Sequence, residues 1–139
     1  MKNKAAAFTR ILATLALVAA ISACGSDNQV LGPQYEPEVV NVQDSFSFQA
    51  TDISNITQQF SYSWENTGVS ANIDQSCSIT SGSATVRVVD SVGKTVYSSD
   101  LSNDGSFQST DGSTGTWVIQ VTLSATGGTL NFSLQKRTP

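Results

Sequence analysis

An all-β fold is what this 139-residue sequence predicts: a two-sheet antiparallel β-sandwich, immunoglobulin-like or jelly-roll, of about seven to eight strands after a helical signal peptide and a flexible linker. Three observations carry the expectation. From Asp44 onward apolar residues recur at every second position and never at helical spacing. The alternating runs are short and are separated by clusters of Gly, Asn, Asp and Ser with turn character. Trp64, Trp117 and several phenylalanines fall in phase within those runs, so each strand offers one apolar face that a second sheet must cover.

The first element precedes that domain. Residues 1–10 hold Lys2, Lys4 and Arg10 without an acid, and residues 11–21 are almost wholly apolar. This is the charged start and apolar middle of a secretory signal. Such a run rises only about 16 Å as a helix, roughly half a bilayer core, and is too short for a comfortable spanning anchor. Ser22 and Ala23 supply the small residues of a cleavage site, and Cys24 follows, with the aliphatic Ile21 three positions before it.

The tetrapeptide Ile21-Ser22-Ala23-Cys24 resembles the lipobox of bacterial lipoproteins. The resemblance implies that residues 1–23 are a signal peptide recognised through Ile21, Ser22 and Ala23 and cut just before Cys24. It implies also that the Cys24 thiol carries diacylglycerol and that the new amino terminus is often acylated, for example with palmitate. Two or more acyl chains hold a protein stably on its membrane, each buried methylene contributing about 0.8 kcal/mol. An Asp directly after the lipidated cysteine tends to retain such proteins in the inner membrane. Gly25 stands there instead, which favours the outer membrane, on its periplasmic or surface face, over the cytoplasmic membrane.

Residues 24–43 are expected to form the lipidated cysteine and its tether. They show neither period, and Pro33 and Pro37 bias their predecessors toward extended backbone. A flexible chain of about 18 residues spans about 20 to 25 Å. Val30, Leu31 and Tyr35 are its apolar points.

Loss of residues 1–23 from the 139 leaves 116, one domain's worth, and removes three of seven basic residues but none of eleven acidic ones. Four bases against eleven acids give the mature chain a formal charge of −7. That balance argues against a nucleic-acid partner, which needs a basic footprint, and against electrostatic binding to anionic lipid. With Cys24 committed to lipid, Cys77 has no intrachain partner, so no disulfide is expected. Histidine is absent, which removes the usual general base near neutral pH and the commonest zinc ligand.

Within residues 44–137, Phe46, Phe48 and Ala50 alternate with polar neighbours in a first strand, and Phe60, Tyr62 and Trp64 do so in a second, closed by an Asn66-Thr67-Gly68 turn. Ala71, Ile73, Gln75, Cys77 and Ile79 share one parity, which turns Cys77 toward the core as an inert thiol. Ser81-Gly82-Ser83 reads as a turn into Ala84, Val86 and Val88. Residues 90–94 read as a hairpin loop with Gly93 free to take positive φ. In the strand from Thr95 to Leu101 either Val96 faces inward or Tyr97 and Leu101 do, unless a bulge reconciles them. Residues 102–115 read as loop, with Phe107 in a short edge strand. Trp117 to Leu123, a Gly127-Gly128 turn and Leu130 to Leu134 read as a closing hairpin. Gly115-Thr116-Trp117 with Gly128-Thr129-Leu130-Asn131 resembles the closing hairpin of extracellular β-sandwich modules such as the P domain beside subtilisin-like proteases, and no function is carried over from it.

The chemistry left to such a chain is narrow. A Ser-His-Asp triad is impossible without histidine. Two carboxylates suffice for glycoside hydrolysis, but Glu65 and Asp74 fall on polar strand faces and Glu36 and Glu38 in the tether, so no pair is marked and no catalytic residue is assigned. Asp100, Asn103, Asp104, Gly105 and Asp111 could offer oxygen ligands to calcium, yet their spacing departs from the EF-hand loop and Asp-Gly is ordinary turn chemistry. No metal site or cofactor is therefore expected. Trp64 and Trp117 are expected in the core rather than as sugar platforms, with Tyr35, Tyr97 and Phe107 better placed for exposure. The expectation is a non-catalytic module on a lipid anchor, its protein or glycan partner unidentified. A carbohydrate- or peptide-binding surface module is the alternative, and a carboxylate-only hydrolase the remote one.

Overall fold

The computed structural model describes residues 36–139. The readings made for the signal, for Cys24 and for most of the tether lie outside the described residues. Period-two segments become seven strands: β1 (Glu38–Val42), β2 (Ser45–Asn66), β3 (Ala71–Gln75), β4 (Ser78–Val89), β5 (Thr95–Asp100), β6 (Gly105–Gln108) and β7 (Gly115–Lys136). Every pairing is antiparallel, and no helix occurs among the described residues.

The frame is the ribbon of β2 and β7. Each has 22 residues, about four times the usual strand, and they pair from Ser45↔Gln135 to Asn66↔Gly115. Straight ribbons of that length expose one apolar face, so this one bends. The register breaks between Ala50 and Gln58, where Asp52 and Asn55 both take φ 51; opposite them Ala125 takes φ 46 and Gly128 φ 122. The bend folds β2 onto itself. The Phe46 ring lies 5.5 Å from that of Tyr62 and the Phe48 ring 5.7 Å from that of Phe60, side chains that a straight strand would hold roughly 40 to 50 Å apart.

β3 and β4 follow one another along the far edge of β7, Ala71↔Lys136 to Gln75↔Phe132 and then Ser78↔Thr129 to Val89↔Val118. One layer thus holds β1, the first half of β2, the second half of β7, β3 and β6. The other holds the second half of β2, the first half of β7, β4 and β5. The sandwich is one hydrogen-bonded sheet turned through a corner. Phe46, Phe48, Ile73, Leu130, Phe132 and Leu134 of the first layer meet Trp64, Val86, Val88, Trp117, Ile119 and Val121 of the second, all at most 1 % exposed.

Three sequence expectations are corrected by this corner and its surroundings. Gly127-Gly128 is no hairpin turn: the chain continues through it inside β7, and Trp117 to Leu123 and Leu130 to Leu134 lie in different layers, each paired with β2. A Cβ at Gly128 would come within 2.0 Å of the Ser78 carbonyl oxygen, so glycine is there for close strand approach as well as for φ. Ser81-Gly82-Ser83 likewise lies inside β4, as an irregularity with Gly82 at φ 65 that carries the strand round the same corner. The domain also starts earlier than Asp44. Glu38–Val42, expected within the tether, pairs as β1 with Ser45–Gln49, because its three valines and lack of Pro or Gly favour a strand once β2 offers an edge.

Other expectations hold. A bulge between Val88 and Val89 leaves Val96 buried while Leu101 is buried too and Tyr97 half-buried, which reconciles the mixed parity of that strand. Phe107 sits in the short edge strand β6. The 90–94 loop closes through Asp90 N–H to the Lys94 carbonyl, 2.8 Å, with Gly93 at φ 89.

Candidate functional site

The residues expected to carry lipid chemistry, Ile21, Ser22, Ala23 and Cys24, lie outside the described residues. The candidates within them can be placed individually. Glu65 and Asp74 sit in different layers, and each carboxylate accepts a cross-strand hydroxyl, from Thr116 and from Ser106 respectively. They are not brought together as a catalytic pair. Asp100 accepts the Ser102 N–H at 2.9 Å and Asp104 the Cys77 N–H at 2.7 Å, while Lys94 donates to the Asp111 carbonyl. The Asp100 and Asp104 carboxylates thus hold loop backbone, Asp111 contributes its main-chain carbonyl, and among the described residues no group of three or more His, Cys, Asp or Glu could hold a metal ion.

Both tryptophans are fully buried, packed edge to face at 5.8 Å. Each indole N–H finds a carbonyl, Trp64 that of Val42 at 3.1 Å and Trp117 that of Ser113 at 2.7 Å. Tyr97 and Phe107, expected to be freer, pack on each other at 6.1 Å across the layers and are half-buried. The Tyr97 hydroxyl donates to Gln75 Oε1 at 2.8 Å, and Gln75 Nε2 donates to the carbonyls of Asn103 and Asp100. Burial pushes the Tyr97 phenol above its ordinary pKa. This cluster ties β3 to β5 and offers no sugar platform. Cys77 is buried, and burial raises its thiol as well; Sγ accepts the Asn131 N–H at 3.3 Å and lies 3.4 Å from the Asn131 carbonyl.

The end of the sandwich away from the corner is closed by Asp44. Its carboxylate pairs with Lys136 Nζ at 2.9 Å and accepts the Thr67 N–H at 2.7 Å, and these hydrogen bonds, that from Lys136 foremost, hold it down at about 2. Beside it Thr67–Ser70, Asp111 and residues 136–139 line a groove of about 510 Å³. In the 90–94 loop Asp90 is buried. Desolvation pushes its carboxyl up, but the N–H groups of Lys94, Ser113 and Val92 together outweigh it and leave the group below the ordinary range.

Sequence reasoning missed the flank formed by β1. Val40 and Val42, each 55 % exposed, stand on its outer face, and no described residue pairs with its outer edge. The signal was the run after Pro37, three valines in five residues without Pro or Gly. Glu36, just before it, approaches Tyr62, whose phenol is raised first by burial and then by that carboxylate.

No family model matches this chain, and no curated protein does. Among solved structures it is similar to a chain of the Glycosylation Associate Protein (Gap123) complex from Streptococcus agalactiae, at 12 % identity and a TM-score of 0.41. The match covers 82 % of this chain and 43 % of that one, and a likeness at this level carries no argument about function.

Proposed function

We propose that this protein is a bacterial lipoprotein, held at the cell envelope by acyl chains on Cys24, whose β-sandwich is a non-catalytic binding or envelope-organising module. The observation that carries the reading is Ile21-Ser22-Ala23-Cys24 directly after a basic start and a short apolar run. Gly25 directs it to the outer membrane. In support of a non-catalytic role, Glu65 and Asp74 are parted by the layers and occupied by cross-strand hydroxyls.

Metabolic labelling with an alkyne-bearing fatty acid tests the anchor. The wild-type chain takes up label and fractionates with membranes, and Cys24→Ala does neither. An unlabelled wild type, or equal labelling of the variant, overturns the reading. Cross-linking in the native membrane then identifies what the sandwich touches.

A further inference from the structure

We infer that the outer edge of β1 is a strand-addition site for a basic, extended segment of a partner protein, an inference that rests on the binding-module reading above. Sheet edges present unpaired N–H and C=O groups, and natural proteins blunt them with lysine, proline, bulges or covering chain. Among the described residues β1 has none of these: its five residues pair with β2 in unbroken register, it contains no Lys or Pro, and it carries two exposed valines on one face. The other edges differ. The Val96 carbonyl of β5 is taken by the N–H and hydroxyl of Thr110. The free side of β2 in the second layer is shielded by Asn41, whose Nδ2 donates to the Ser63 carbonyl at 2.8 Å. β6 has only four residues and begins at a glycine.

Charge selects the occupant. From residue 36 to Thr85 the chain has no Lys or Arg. Glu36 and Glu38 lead into β1, and Glu65 lies beyond its end, its carbonyl accepting the Asp44 N–H. Asp44 itself is neutralised by Lys136. A second copy of this chain would bring the same acidic flank against itself, which like-charge repulsion opposes. A strand with Lys or Arg at its ends and apolar side chains beside Val40 and Val42 meets both features. Main-chain hydrogen bonds then give affinity and the alternate side chains give selectivity.

The test uses the full chain and a fluorescein-labelled eight-residue peptide that alternates valine with threonine and carries lysine at both ends, read by anisotropy. The peptide binds, Val40→Lys and Val42→Lys each weaken it about tenfold or more, and raised salt or glutamate-ended peptide weakens it by a similar factor. Glu38→Gln, which leaves the edge intact, lowers affinity and flattens the salt dependence. Unchanged cooperative unfolding of each variant shows that the fold is kept. Absence of peptide binding, binding insensitive to Val40→Lys, or a β1-dependent dimer in place of the peptide complex each overturns the inference. If native cross-linking captures the same partner from wild type and from Val40→Lys, the binding-module reading stands and the edge assignment alone fails.

Discussion

Gly128 distinguishes the corner from the hairpin that its sequence suggests. In a solvent-exposed hairpin turn, alanine at a positive-φ position costs about 1 kcal/mol of backbone strain. At this corner φ is 122, and the added methyl would stand 2.0 Å from the Ser78 carbonyl oxygen and 3.0 Å from Ile79 Cα, both backbone atoms of a paired strand. Neither can move without parting β4 from β7. Strain and overpacking together bring the expected cost of Gly128→Ala to roughly 3–5 kcal/mol. Two internal comparisons calibrate it. Gly93, at φ 89 with nothing within 4 Å of the added atom, should lose only about 1 kcal/mol as alanine. Gly127 meets the Ser81 hydroxyl oxygen at 2.4 Å, a side-chain atom that rotates away, so Gly127→Ala should cost at most about 1 kcal/mol. Urea unfolding followed by the fluorescence of the buried tryptophans reads all three. With a slope of about 1–3 kcal/mol per molar, Gly128→Ala shifts the midpoint by roughly 1–5 M. A shift no larger than that of Gly93→Ala would refute the corner argument.

Asp44→Asn keeps a residue that tolerates the φ of 66 but removes the charge paired with Lys136. Because the folded carboxyl is held at about 2, its stabilisation is present above the unfolded pKa of about 3.9 and is lost as pH falls toward 2. The thermal midpoints of wild type and variant should therefore differ at pH 7 and converge between pH 4 and pH 2; a constant gap would discount the ion pair. Tyr97→Phe leaves Gln75 Oε1 without its hydroxyl donor and should cost about 1–2 kcal/mol in denaturant unfolding, with strong coupling to Gln75→Leu in a double-mutant cycle. Additive losses would mean that the pair does not tie the layers. The Cys77 thiol should resist a bulky maleimide in the native chain and react at once in denaturant; rapid native labelling would contradict its burial.

What could be read from the sequence was local. Alternation placed Phe46, Trp64, Ile73, Val86, Trp117 and Phe132 on inward faces, and all are buried. Alternation is silent on which strand pairs with which. A glycine pair between two alternating runs signals a hairpin and a strand corner equally, so alternation locates both strands that flank Gly127-Gly128 without telling that they are one continuous strand. The same limit hid β1, whose valines sit behind Pro37 in a stretch of tether composition and become a strand only because Ser45–Gln49 leaves an edge to pair with. The tetrapeptide that resembles a lipobox is the opposite case, a linear signal of a kind that an enzyme would read without any fold. An open edge cannot be read that way, since it is a property of topology.

The position of β1 also fixes where the proposed tether joins the domain. Glu38 pairs with Gln49, next to the corner, while Val42 pairs with Ser45 beside the Asp44 and Lys136 closure. The chain therefore enters at the corner end and climbs about 17 Å along the edge of the first layer before turning. On the proposed Cys24 anchor, the tether therefore joins the domain at its corner end, and the groove at Thr67–Ser70 lies at the other end. Glu36 and Glu38 stand at that tether end, where like charge would oppose docking of the domain on an anionic surface. A strand added to β1 would place its basic end over Glu36 and Glu38, at the tether end of the domain.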